Sequence, residues 1–236
     1  MAKNIKKRSA SHIYFGVNKL TGELKHISEV PSGQKCNCIC AACLQPFEAR
    51  KGTRRRHHFA HVSNYECMYA SEVAIYKAFA EALKQSGFLT LPPVMLRFPA
   101  WHDPELLQEA RRLKIDSVAF ECEPLSYPPL LRVTMQGTPL RILLDFDRYY
   151  DDDDRVELAE EAKAEDYSLL LISMPKIEQD TEFTPDRLQS VLQDNDRTEW
   201  VFSRLEEQWK QKYYAVAVSP PEHGTGNLCP ISFGKY

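Results

Sequence analysis

The sequence predicts an α/β chain of the α+β type: a small β module first, then a mixed sheet flanked by helices. Three observations predict it. Residues 12–30 fall into two short β-rich runs around a turn and lead into a cluster of cysteines and histidines. Residues 71–87 change to the helical period. Beyond them, strand-like runs alternate with helix-like ones, an order that gives a sheet with helices laid against it.

Taken in order, "HIYFGVNKLTGELKHISEV" reads as a hairpin around "NKLTGE", with Gly22 free to supply the turn conformation. "SEVAIYKAFAEALKQSG" sets Ile75, Tyr76, Phe79, Ala80 and Leu83 on one helical face, with Ser71 as N-cap and Gly87 as the stop. "FLTLPPVMLRFP" follows, then a short helix-like segment near "DPELLQEARRL". "IDSVAFECE", "LLRVTMQ" and "LRILLDFD" read as strands, the last two joined as a hairpin through "QGTP". The "DDDD" run at 151–154 lacks the spaced ligands and glycine of a calcium loop. It suits the positive end of a helix over 155–165 instead. "YSLLLISM" is a buried strand and "TPDRLQSVLQ" opens another helix. In "EWVFSRLEEQWKQKYY", Trp200, Phe202, Leu205, Trp209 and Tyr213 come close enough for an aromatic face packed on the protein's own core. The tail from about Tyr213 reads as irregular. The expected division is a basic module over 1–70, a core over 71–212 and a tail over 213–236.

With 236 residues, 43% hydrophobic and 27% charged, the composition is that of a soluble globular protein with room for a substantial core. No window approaches the roughly 20 apolar residues of a membrane helix. The start, "MAKNIKKRSASHIYFG", is basic without the apolar centre of a secretion signal, so a cytoplasmic protein with no membrane partner is expected. Charge is unevenly spread. Residues 1–70 hold 12 Lys and Arg against 4 Asp and Glu; the remainder holds 18 against 29. A basic module on an acidic body points to a phosphate-bearing partner, unless the two parts simply attract each other.

Five of the seven cysteines lie within 36–67. In a reducing compartment such clustering favours metal ligation over disulfides. Cys40 and Cys43 form a CxxC, whose spacing lets two thiolates reach one tetrahedral ion from a tight turn. The preferred ligand set is Cys40, Cys43, His61 and Cys67, with His58 as the alternate. Cys36 and Cys38 then serve as small core residues, and His57 is solvated. The ion expected is structural zinc, since no HExxH or HxE…PCxxC pattern supplies a catalytic one. Between the ligand pairs lie Arg50, Lys51, Arg54, Arg55 and Arg56. A hairpin pinned by zinc would display them to nucleic acid, where guanidinium groups grip phosphate bidentately.

The series "CAAC", "KGTRRRHHFAH", "EC" and then "SE" opening a helix resembles the competence protein CoiA-like family. Weaker similarity runs on through "YPPLLRVTMQGTPLRILLDF" and "YSLLLISM", to cover about residues 36–175. The resemblance implies a zinc-ribbon-like module before a nuclease-like core of the PD-(D/E)XK type. It implies a magnesium site of carboxylates on a hairpin, with a lysine beside them. Carried over by position, the helix acid is Glu72 and the strand acid is Asp145. The family's aspartate position holds Leu130, its lysine position holds Asp147, and its helix histidine position holds Tyr76. Leucine cannot bind magnesium and aspartate cannot supply positive charge. Asp116, Glu121 and Glu123, or a cation such as Lys163 or Arg155, are the available substitutes.

The expected function is therefore a zinc-stabilised nucleic-acid-binding protein, DNA before RNA, with a degenerate nuclease core. Two alternatives stand beside it. One is an active magnesium-dependent nuclease using Glu72, Asp145 and Asp147. The other is a protein-interaction subunit, or homo-oligomer, within a DNA-processing or defence complex.

Overall fold

A computed structural model describes residues 12–63, 67–97, 103–122, 128–146, 150–175 and 182–218. The first hairpin forms where the alternation puts it. Strand β1 (Phe15–Asn18) pairs antiparallel with β2 (Leu24–His26), and Gly22 takes a φ of 72° in the turn. Strand β3 (Cys38–Ile39) adds to the other edge of β1. A second ribbon, β4 (Phe47–Arg50) with β5 (His58–His61), lies against this sheet. Gly16 permits the approach: a Cβ there would sit 3.2 Å from both Cys38 Cβ and Phe47 Cδ2.

Helix α1 (Ala70–Ser86) ends on Gly87, which is left-handed at φ 65° and donates its N–H to the Leu83 carbonyl. Its start differs from expectation. Tyr69 is the N-cap, and Ser71 lies inside the first turn with its hydroxyl donated to the His12 carbonyl. Capping by Ser71 gives way to a tertiary bond that fixes the helix to the module.

The next segment overturns the helix expected near "DPELLQEARRL". Residues 88–97 and 103–114 form a two-part ribbon, with β6 (Phe88–Leu91) on β9 (Arg111–Lys114) and β7 (Val94–Leu96) on β8 (Glu105–Gln108). Leu, Glu and Gln favour a helix locally. Cross-strand pairing wins because it buries Leu89, Val94 and Leu96. Pro92 and Pro93 cannot both serve a ladder, and the ribbon is interrupted there.

Five strands make the main sheet in chain order: β10 (Ser117–Glu121), β11 (Leu130–Met135), β12 (Thr138–Asp145), β13 (Ser168–Ser173) and β14 (Thr198–Phe202). Only the β12–β13 pairing is parallel, so the sheet is mixed and the fold is α+β. Gln136 and Gly137, at φ 50° and 72°, make the tight turn between β11 and β12. Helix α2 (Asp152–Ala164) carries the chain from β12 to β13. Asp151 caps it in a reciprocal pair with Asp154, so the aspartate run is a helix start. Helix α3 (Pro185–Gln193), capped by Thr184, lies beside α1.

The carboxy-terminal expectation needs two corrections. Trp200 and Phe202 lie on β14, so they share no helical face with Leu205, Trp209 and Tyr213. Helix α4 (Arg204–Val218) runs on through the point where an irregular tail was expected. Neither the edge strand nor the chain reversal at Ser203 has a strong local signal.

Side chains alternate across the sheet as strand geometry requires. Leu131, Val133, Leu140, Ile142 and Leu144 pack under α1 and continue into Phe15, Phe47 and Phe59 of the module as one buried cluster. Leu143, Leu169 and Leu171 face the other way, onto Ala162 of α2 and Tyr167. Among the described residues no helix is long and apolar enough to cross a membrane.

Candidate metal centre

Strand β3 ends in the turn Cys40–Cys43. Leu44 closes it at φ 61°, donating its N–H to the Cys40 carbonyl at 3.0 Å. The Cys40 N–H is donated in turn to the Gln45 carbonyl at 2.9 Å, and the Ala42 N–H to Cys40 Sγ at 3.4 Å. This brings both thiols of the CxxC to one side. His61 ends β5 opposite Phe47, whose ring meets the imidazole edge-on at 4.8 Å. Cys67 stands just ahead of α1, with its carbonyl accepting from the Ala70 N–H.

Three segments distant in sequence thus converge. The ligand atoms of Cys40, Cys43, His61 and Cys67 all lie within 4.8 Å of one another. A tetrahedral ion with metal–sulfur bonds near 2.3 Å sets its sulfurs about 3.8 Å apart and sulfur to nitrogen about 3.6 Å. Cys43 Sγ and His61 Nε2 stand 3.3 Å apart. The group can hold a metal ion, and three sulfurs with one imidazole match the donor set of zinc.

The electrostatics distinguish the four. Cys67 is pulled down to about 6, chiefly by a hydrogen bond from the Cys40 thiol, and further by the backbone N–H groups of Tyr69 and Ala70. Cys40 is pushed far up by the same bond and by burial. Burial also raises Cys43 and lowers His61, which favours neutral imidazole, the ligating form. Cys67 also lies at the positive end of α1, which favours its thiolate.

The other candidates lie elsewhere. His58 shares β5 with His61 but stands outside the group. Its Nδ1 is 2.9 Å from the Arg56 carbonyl oxygen, and its ring meets His12 edge-on at 4.7 Å. Cys36 and Cys38 are buried, with thiols donated to the carbonyls of Phe47 and Cys36, and burial pushes Cys38 up to about 12. His57 is exposed.

The basic residues divide. Arg50 pairs with Glu48 at 2.7 Å, and Lys51 reaches back to the carbonyls of Ser28 and Val30. Arg54, Arg55 and Arg56 are exposed on the loop joining β4 to β5. His61 and Phe47 mark the metal end of this ribbon, His58 and Arg50 the loop end. Three residue steps, about 10 Å, separate them.

Glu72 and Asp145 are each only 4% exposed. Glu72 lies in the first turn of α1, on the face of the sheet that Leu144 and Phe146 pack against. Strand alternation gives Asp145 the opposite face, with Leu143. Among the described residues only the cysteine–histidine group brings three or more metal-ligating side chains together. Asp147 and Glu123 lie outside the described residues. Asp116 accepts from the Gly137 N–H and Glu121 pairs with Arg132. Lys163 and Arg155 are paired with Glu207 and Glu199.

Sequence reasoning missed Arg111, Trp200 and Arg204, which line one cleft away from the metal centre. They come from β9, β14 and α4 at the end of the sheet where β12 and β13 begin, and no spacing links them. No family model, curated protein or solved structure matches this chain.

Proposed function

We propose that the protein binds nucleic acid, DNA first, through a zinc-stabilised amino-terminal module, and that it is a CoiA-like protein with a degenerate PD-(D/E)XK core. The observation that carries this is the exposure of Arg54, Arg55 and Arg56 on the loop of the β4–β5 ribbon, whose far end carries His61 of the Cys40, Cys43, His61 and Cys67 group. Zinc would supply a rigid cross-link and no chemistry. The chain supplies the rest: β4 and β5 hold the loop out, and three guanidinium groups neutralise phosphates without reading bases. Thiol ligation of this kind goes with a reducing, cytoplasmic setting.

The test is fluorescence anisotropy of labelled duplex DNA titrated with the zinc-loaded protein over a range of salt. Affinity should fall steeply with salt. Arg54→Ala/Arg55→Ala/Arg56→Ala should flatten the log–log slope by about 2–3, at roughly 0.9 per phosphate contact, and leave the melting temperature unchanged. An unaltered slope in the triple variant would sink the proposal.

A magnesium-dependent nuclease is the second reading, motivated by the burial of two carboxylates, Glu72 on α1 and Asp145 at the end of β12, and opposed by the separate faces of the sheet that they take. Cleavage of any DNA or RNA form that requires magnesium and is lost in Asp145→Ala would establish it. No cutting by wild type leaves the binding module.

A further inference from the structure

Among the described residues, two of the clefts lie away from the metal centre. One, about 480 Å³, runs between the first hairpin, α1 and α3, and both signs of charge line it: Glu23, Glu29 and Glu81 with Lys25 and Lys77. It has no charge preference. The other, about 330 Å³, is built from the 88–114 ribbon, the β11–β12 turn, β14 and the start of α4. Arg111 and Arg204 line it together with Trp200 and the amides of Gln108, Gln136 and Gln208. No aspartate or glutamate is among its described lining residues. Beyond residue 70 the chain carries 29 acids against 18 bases, so a lining without a carboxylate is a departure from the body's balance, with Asp166 pairing Arg204 from outside it.

The three principal side chains differ in how they are held. Arg111 is exposed on β9 and has no ion-pair partner among the described residues. Arg204 Nε stands 2.9 Å from Asp166 Oδ1 in an ion pair without hydrogen-bond geometry, while its backbone N–H is donated to Ser168 Oγ. Trp200 is half-buried, and its indole N–H is donated to the Pro92 carbonyl at 3.1 Å, which sets the ring's orientation. A fixed indole is a surface on which a planar base can stack. Guanidinium forks match phosphate, and side-chain amides can both donate to and accept from base edges. The volume lies within the roughly 300–1,000 Å³ range of small-molecule sites.

We propose that this cleft binds a nucleotide, with its base against Trp200 and its phosphate between Arg111 and Arg204. The site is independent of the function proposed above. Thr138, Leu140 and Ser168 place it at the start of β12 and β13, whereas Asp145 ends β12, about 20 Å along the strand. The nucleotide can be free or the phosphorylated end of a single strand, since both present the same groups.

Calorimetric titration of the full-length, zinc-loaded protein with adenosine monophosphate, adenosine and inorganic phosphate tests it. Adenosine monophosphate should bind about tenfold more tightly than either fragment, as a charge-assisted contact to phosphate implies. Arg111→Ala should weaken it about tenfold with no change in melting temperature, and Trp200→Phe should retain binding that Trp200→Leu loses. The Arg54/Arg55/Arg56 triple-alanine variant should bind the nucleotide normally, which separates this site from the loop. Competition by a phosphorylated single strand, but not by its hydroxyl-ended twin, assigns the strand end; competition by neither assigns the free nucleotide. Equal affinity for adenosine monophosphate and its fragments, or an Arg111→Ala variant that binds as wild type does, overturns the proposal.

Discussion

The amino-terminal module and the five-stranded sheet are held in shape by different means. The module's strands run two to four residues, too short to fix their own register. Its order depends on a few buried rings and on the convergence of Cys40, Cys43, His61 and Cys67. The sheet's strands run five to eight residues and bury side chains on both faces. Where packing is thin, the convergence of ligand side chains positions the loop between β4 and β5; where packing is thick, side chains such as Tyr76 position one another. The two regions meet at α1, which begins at the metal centre and is buried under the sheet.

Removing the cross-link should produce the largest effect. Chelation of zinc, or Cys40→Ser, is expected to unfold the module. Structural zinc sites carry apparent binding energies of about 10–16 kcal/mol in small modules, so a loss of several kcal/mol is expected here. Hydrogen exchange resolves where it falls. Amides of β1, β4 and β5 should lose protection while those of β12 and β13 keep theirs. Equal loss in both regions would mean that the shared apolar cluster makes them one cooperative unit.

The counterpart within the sheet is Tyr76→Phe. The Leu144 N–H is donated to the Tyr76 hydroxyl at 2.8 Å in a fully buried setting. Strand β11 ends its pairing with β12 at Ile142, so the tyrosine serves where a strand partner would. Losing it leaves a buried donor unsatisfied, at about 1–3 kcal/mol. Denaturant unfolding should show the loss, and zinc content should not change. A fall in zinc content would show that the two regions are not separable at α1.

What could be read from the sequence follows the same division. The CxxC, His61 and Cys67 were legible because ligand chemistry leaves a strict residue pattern. Strands β11 to β13 and helices α1 and α2 were legible because each carries its own period and stop signals, such as "QGTP" and Gly87. The 88–114 ribbon was not, since "ELLQEARRL" favours a helix until a partner strand is supplied. Strand β14 and the cleft around Trp200 were hidden for a related reason: their neighbours are far away in the chain. The face taken by Asp145 was likewise set by register in the sheet, which the local sequence does not specify.

The smallest expected effect separates burial from metal binding within the module itself. His26 is 4% exposed, and burial holds its imidazole below its ordinary value near 6.5. Glu29 and Glu182 oppose that shift, and Lys51 adds to it. The unfolded chain therefore takes up a proton before the folded one does. Stability is full above pH 6.5 and declines as pH falls through that value toward the lower folded one. Acid also protonates the zinc ligands, so the decline of wild type alone is not diagnostic. The informative quantity is the difference between wild type and His26→Gln, both zinc-loaded, measured by denaturant unfolding at a series of pH values. That difference should be constant above pH 6.5 and should shift in favour of the variant below it. A difference independent of pH would mean that the imidazole titrates as in water, and that this part of the module is held less tightly by packing than its burial implies.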